Sequence, residues 1–306
     1  MYLGFLTGCM GNIPLKEKAE WAAAHGMKAI EISCWPKLND RDYSATDIDV
    51  TTLTKEGADE INAYVKELGL TISSLAYYDN NLSADPEQRS FINNHVYKVI
   101  DAAALLGVDK VGTFVGRNPK LSVKDNFDEF EAVFTPMVKY AGERGIKLMI
   151  ENCPMIGWQI QGLPGTISFS PELWREMFKR IPDANFGLNY DPSHLRFMLM
   201  DYITPIKEFK DRIFHTHAKD VTVDFDVLAQ TGVLNKQLYG QPGKSYWAPV
   251  MPGLGDIDFK AWMDALREVG YDGVVSIEHE DRNYEGALEK VKAGLEIAIT
   301  HLKPLF

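Results

Sequence analysis

The chain predicts one (β/α)8 TIM-barrel domain over residues 1–306, on three observations. Eight β-like runs alternate with eight helical runs along the whole length. Four successive runs in the second half end on residues of metal-ligand type: IENCP with Glu151, LNYDPSH with Asp191 and His194, FHTHAKD with His215 and His217, and VSIEHED with Glu278. The carboxyl ends of parallel barrel strands meet on one rim, and barrel active sites lie there. One fold therefore accounts for both the repeat and the clustering.

The expected strands are 2–6, 28–32, 70–75, 110–114, 147–152, 185–190, 212–218 and 273–278. The opening MYLGFLTG has no basic leader region and is expected to be the first strand, not a secretory signal. Pro14 opens the first helix and Gly26 closes it. Further helices are expected over 55–68, 86–106 and 124–144, stopped by Gly69, Gly107 and Gly145. The remaining helices are 171–180, a short sixth around 203–210, then 259–269 and 285–301. Period-two alternation places Asn189 and Asp191 on one face of strand six, and His215, His217 and Lys219 on one face of strand seven. Glu151 and Glu278 project the same way from their strands. The apolar faces are expected to pack on helices and the polar ones to point into the barrel mouth.

Two connections are long. Residues 34–55 follow strand two. Residues 221–258 follow strand seven and carry Tyr239, Tyr246 and Trp247. Loops of this length in a compact domain are usually functional, and this second rim loop is expected to cover a substrate. No linker or low-complexity tract divides the chain.

The net charge is −11 with 45% hydrophobic residues. An acidic chain without a polybasic patch argues against nucleic acid and against a membrane surface as partners. No apolar run has the length of a membrane span. Cys9, Cys34 and Cys153 are odd in number and form no CxxC pair, which suits a reducing, cytoplasmic location.

Glu151, Asp191, His217 and Glu278 offer three carboxylates and one imidazole to a divalent ion. Mn2+ suits that set, with Mg2+, Co2+ and Zn2+ as alternatives. Without a cation the three carboxylates are expected to raise each other's pKa values. Taken singly, each motif has a plain alternative: a helix cap at Asp191, a core histidine at His215, a solvated charge run at HEDR. Together, on successive strand ends, they point to one site. His194 is placed for substrate contact or for support, and His215 for hydrogen-bonded support or for substrate. Lys219 either neutralises an oxyanion or pairs with Asp220 or a rim acid. Glu31 points inward, to a substrate hydroxyl or a salt bridge. Trp158 and Trp35 lie just past strand ends, for ring stacking or packing. His279 falls on the face opposite Glu278, and His25, His95 and His301 lie on helices.

IENCP, NYDPSH, HTHAKD, the MPGLGDIDF turn and SIEHED resemble the xylose-isomerase-like superfamily of sugar isomerases and epimerases. The resemblance implies one divalent ion, often manganese, on Glu151, Asp191, His217 and Glu278. It also implies proton exchange by Glu151 and Glu278 and substrate contact by His194. The expected activity is a metal-dependent isomerase or epimerase acting through an enediolate on a sugar or sugar-derived keto or polyol substrate. The alternatives are a lyase on the same scaffold, of the inosose-dehydratase or keto-glycoside-cleaving type, and a non-catalytic sugar-binding protein. A homo-oligomer fits the resemblance as well as a monomer. Two departures argue against a free-ketose 3-epimerase: MIGWQIQG carries no acid after strand five, and VTVDFDVL carries no arginine after strand seven. Apurinic-site endonucleases share the fold, but they need histidines at early strand ends that this chain lacks.

Overall fold

A computed structural model of the protein describes all residues except 12, 38–44, 157–163 and 234–244. Ten strands form among the described residues: β1 (Tyr2–Leu6), β2 (Ala29–Ser33), β3 (Thr71–Ala76), β4 (Lys110–Thr113), β5 (Lys147–Glu151), β6 (Phe186–Tyr190), β7 (Ile213–Ala218), β8 (Asp220–Val223), β9 (Trp247–Val250) and β10 (Val274–Ile277). Eight close into a parallel barrel in the order β1-β10-β7-β6-β5-β4-β3-β2, and β8 and β9 pair antiparallel outside it. The helices are α1 (Leu15–Ala24), α2 (Lys55–Glu67), α3 (Pro86–Leu106), α4 (Val123–Glu143), α5 (Pro171–Arg180), α6 (Pro192–Phe197), α7 (Thr204–Glu208), α8 (Phe225–Thr231), α9 (Phe259–Glu268) and α10 (Leu288–Leu302).

All eight expected barrel strands form, with no end shifted by more than one residue. Glu278 lies just beyond β10, but its backbone N–H still donates to Ala218 O at 3.2 Å. Several helix starts carry side-chain caps that the sequence reading did not name. Asp85 accepts from the N–H groups of Glu87 and Gln88, Ser122 from Asp125 and Ser170 from Leu173. The helices bury one face against the barrel. On α4, Phe127, Phe130, Phe134, Met137 and Val138 are buried at helical spacing. Phe130 and Phe134 both reach Phe186 on β6, with ring centroids 5.9 and 6.1 Å away.

Two features were not expected. NYDPSH continues into the short helix α6, with Asp191 as its cap and Pro192 at its first turn. The 221–258 insert is partly regular: β8 runs into α8, and β9 returns beside β8. The last helix begins at Leu288 instead of 285, because Gly286 has φ +83° and breaks the run. No described helix is long and apolar enough to cross a membrane.

The strand register shifts at two points, between Ile30 and Glu31 on β2 and between Leu188 and Asn189 on β6. Such shifts bend a strand and re-aim side chains. Here they fall at Glu31 and Asn189, both of which reach His217 Nε2.

Candidate active site

The polar site is assembled from five strand ends. Asn152, directly after β5, holds two of them together: its Nδ2 donates to Asp191 O at 2.9 Å, and its Oδ1 accepts from Asp191 N at 2.8 Å. This strap sets Glu151 beside Asp191. Sequence reasoning passed over Asn152, although it lies inside the IENCP motif. Asp191 works in two directions: Oδ1 caps α6 by accepting from Ser193 N at 2.7 Å, while Oδ2 faces the interior. The capping and ligand readings of DPSH are therefore compatible.

His217 is the centre of the cluster and is fully buried. Its Nδ1 lies 2.9 Å from Glu151 Oε1 and 3.2 Å from Glu278 Oε2. One ligand atom from each of Glu151, Asp191, His217 and Glu278 lies within 4.8 Å of the other three. All four residues expected to hold a metal are thus brought together. The donor set suits a hard or borderline divalent ion. Asp191 Oδ2 is a second sign of fit: it is buried and makes no hydrogen bond, though Lys219 Nζ is 3.3 Å away.

Lys219 enters this cluster more deeply than expected. It does not pair with Asp220. Nζ sits 2.7 Å from Glu278 Oε2, 3.3 Å from Asp191 Oδ2 and 3.6 Å from Glu280 Oε2. His194 Nε2 is 3.1 Å from that ammonium and 3.5 Å from both Glu151 Oε1 and Asp191 Oδ2. Glu280 went unremarked in the sequence. Its signal was the same alternation that placed Glu278, carried two residues further through EHED. Glu151, Cys153 and His194 form a second close group on the rim.

The electrostatics correct one expectation. The carboxylates were expected to raise each other's pKa values, and this holds for Asp191, which burial raises. Burial also acts to raise Glu151, but Lys219 and His217 outweigh it and hold the carboxyl well below its ordinary range. Glu278 is lowered as well: burial and Glu151 act against this, and Lys219 and His217 prevail. Burial alone would lower His217 and Lys219, yet the surrounding carboxylates hold both well above their ordinary values. An imidazolium and an ammonium thus balance the acidic rim.

One layer below lie Glu31 and His215, both fully buried. His215 Nδ1 is 3.0 Å from Asn189 Oδ1 and its Nε2 is 3.1 Å from Ser73 Oγ. Burial brings its pKa down to about 4. Glu31 accepts from Tyr78 Oη, Ser276 Oγ and His217 Nε2, each at 2.9 Å. Burial acts to raise Glu31, but the two imidazoles and these hydrogen bonds bring it down to about 2. Both are held by contacts to protein, which match the supporting reading of His215 and the salt-bridge reading of Glu31. Trp35 is buried edge-on against Tyr77, with centroids 5.8 Å apart, and serves packing. His279 is buried against α10 beside Gly294, on the face opposite Glu278 as expected. Trp158 and Tyr239 lie outside the described residues.

A pocket of about 190 Å³ opens beside the cluster. His194, Lys219 and Glu280 form its polar end, and Phe197, Trp247 and Met155 belong to its apolar wall. Trp247, carried by β9, stacks on Phe197 of α6 with centroids 4.1 Å apart and planes 11° apart. Tyr246 is buried, and its hydroxyl donates to Phe197 O at 2.9 Å. Of the neighbouring insert aromatics, Trp247 therefore faces the pocket and Tyr246 anchors the strand that carries it.

A parallel barrel with three carboxylates and one imidazole on its carboxyl-end rim defines a class, and the sequence matches that class. Residues 19–304 match the family model of the xylose isomerase-like TIM barrel, and the chain belongs to this family. It is 26% identical to the uncharacterized protein YfiH of Bacillus subtilis, over 99% of this chain and 98% of that protein. It is 24% identical to an inosose isomerase of Bacillus velezensis, over 87% of this chain and 84% of that protein. Among solved structures it resembles the IOLI protein with a bound zinc atom, with a TM-score of 0.69 and 22% identity over 100% of this chain and 96% of that one. At that identity the likeness is one of fold. Isomerases, epimerases and dehydratases all occur among the proteins it is similar to.

Proposed function

We propose that this protein is a divalent-metal-dependent isomerase or epimerase acting on a sugar or a sugar-derived keto or polyol substrate. One observation carries the reading: Glu151 and Glu278 approach the same imidazole nitrogen, at 2.9 and 3.2 Å, beside a pocket with an aromatic wall. Two carboxylates set this close are suited to take a proton from a carbon next to a carbonyl and to return one to it. Glu151, Asp191, His217 and Glu278 are the residues that would hold the ion, and Mn2+ fits them, with Mg2+, Co2+ or Zn2+ as alternatives. When bound, the ion supplies Lewis acidity to the substrate oxygens.

The remaining roles follow from position. Lys219 Nζ stands at the polar end of the pocket, where it can balance charge developing on an enediolate oxygen. His194 lies beside it, within reach of a substrate hydroxyl. Trp247 and Phe197 offer a flat apolar surface to the C–H face of a ring. Glu280 supports a second reading, a lyase. It is a further carboxyl beside the pair, on the pocket wall and 3.6 Å from Lys219, and is placed to give a proton to a departing hydroxyl or glycosidic oxygen.

The test is a screen of the manganese-loaded protein against keto-sugars, inososes and keto-glycosides, with products read by NMR. Isomerised or epimerised product is expected. Loss of water or of an aglycone supports the lyase instead. Tight binding of a sugar without turnover of any of these would leave a sugar-binding protein.

A further inference from the structure

Glu31 is charged, fully buried and away from the pocket, so neither the proposed chemistry nor substrate recognition uses it directly. Its surroundings are specific. Glu31 Oε2 lies 2.9 Å from His217 Nε2, on the side of the ring opposite Nδ1. Ser276 of β10 donates to the same oxygen, and Tyr78, just past β3, donates to Oε1. Space for the tyrosine exists because β4 carries Gly112, where any Cβ would collide with the Tyr78 hydroxyl. The register shift at Ile30/Glu31 falls at this residue. Three strand ends and a glycine thus converge on one carboxylate.

The hydrogen bonds around His217 are in competition. Nε2 lies 2.9 Å from Glu31 Oε2 and also 2.9 Å from Asn189 Nδ2. A carboxylate only accepts, so Glu31 requires a proton on Nε2; an amide nitrogen only donates, so Asn189 requires a lone pair there. Asn189 has another acceptor for its N–H, Tyr78 Oη at 2.8 Å, and its Oδ1 is engaged by His215 Nδ1 at 3.0 Å. The network is therefore satisfied with the proton on Nε2. Without an ion, Glu151 and Glu278 hold a second proton on Nδ1, the imidazolium described above; an ion that displaces that proton would meet the Nδ1 lone pair while Nε2 keeps its own proton. Carboxylates behind metal-ligating histidines generally fix the ring in this way.

We propose that Glu31 is a positioning residue that holds His217 in the Nε2–H tautomer, with Nδ1 presented to a divalent ion. This rests on the metal-dependent reading above. Without Glu31, the Asn189 amide is the neighbour left at Nε2. It favours the opposite tautomer, which turns a hydrogen toward the other three ligands.

The test uses the full chain as wild type, Glu31→Ala and Glu31→Gln. Three quantities are measured: Mn2+ affinity by competition with a fluorescent chelator, 15N chemical shifts of His217 in the Zn2+-loaded protein, and the melting temperature of the metal-free protein. The wild type should ligate through Nδ1 with a proton on Nε2. Glu31→Ala should bind Mn2+ about 10- to 100-fold more weakly. Glu31→Gln keeps an acceptor oxygen and should recover most of that loss. A merely structural role would lower the melting temperature and leave metal affinity unchanged, which would overturn the proposal. Ligation of the wild type through Nε2 would overturn it too, and that result decides the matter even if Glu31→Ala does not fold. A wild type that binds no Mn2+ would overturn the metal reading and this inference together. A wild type that binds it as tightly as Glu31→Ala does would overturn this inference alone.

Discussion

His95 is buried on α3, away from the proposed metal ligands, with Nε2 2.8 Å from Cys34 O and its ring edge-on to Tyr77 at 4.5 Å. Burial lowers its pKa and Lys98 adds to this, while the Cys34 carbonyl, Asp49 and Asp79 oppose it. An unfolded histidine takes up a proton near pH ~6.5, whereas the folded one resists it. The unfolded chain therefore binds more protons in that range, and this residue's contribution to stability falls as pH drops below about 6.5. His95→Gln does not titrate, and urea unfolding between about pH 7.5 and pH 5.5 should show a shallower loss of stability than in wild type. Identical slopes would contradict this account of the residue. The same scale shows what the sequence concealed. Asp191, His217 and Glu278 were legible because period-two alternation at a strand end fixes where a side chain points. The partners of Glu31 were not, because Tyr78, His217 and Ser276 come from three other strand ends, and their convergence depends on barrel closure and register shifts. Lys219 was seen, but its place inside the carboxylate cluster depends on geometry across β6, β7 and β10.

At the scale of elements, the MPGLGDIDF turn is held by one carboxylate. Asp220 accepts from Val221 N at 2.8 Å and from the N–H groups of Gly253, Gly255 and Ile257, each at 3.0 Å. Gly255 is required there, since a Cβ would collide with Asp220 Oδ1. Asp220→Ala leaves two buried donors, the N–H groups of Val221 and Ile257, and the more exposed N–H groups of Gly253 and Gly255 without this partner. It should lower unfolding stability by at least about 2 kcal/mol, since each buried unmet donor costs ~1–3 kcal/mol. A loss below about 1 kcal/mol, the scale of an ordinary surface change, would contradict this. The β8–β9 pair that this turn follows carries Trp247 over the pocket. Cleavage within residues 221–258 by a protease should slow when a bound substrate analogue fills the pocket. Equal cleavage with binding demonstrated would count against a covering role. Barrel strands and most helices were legible because Gly stops, with Pro at the first start, punctuate them. The β8–β9 pair was not, because its strands are short and far apart in sequence. Helix α6 was hidden by its length and by a motif read first for its ligands.

At the scale of the whole molecule, an acidic rim is balanced by Lys219 and His217 in the absence of an ion, and a divalent ion should bind the folded chain alone. Mn2+ at about 100 times its dissociation constant should therefore stabilise the fold by about 2.7 kcal/mol, read as a rise in melting temperature that EDTA reverses. No rise, with no metal found in the purified protein, would remove the metal site. The chemistry proposed for Glu151 and Glu278 is exchange of a substrate proton. It is tested by incubating a competent substrate in D2O with wild type, Glu151→Gln and Glu278→Gln, with bound metal measured in each. The wild type should place deuterium on the carbon beside the carbonyl, and each variant that retains metal should slow exchange by at least about 100-fold. Exchange at the wild-type rate in both variants would contradict the claim.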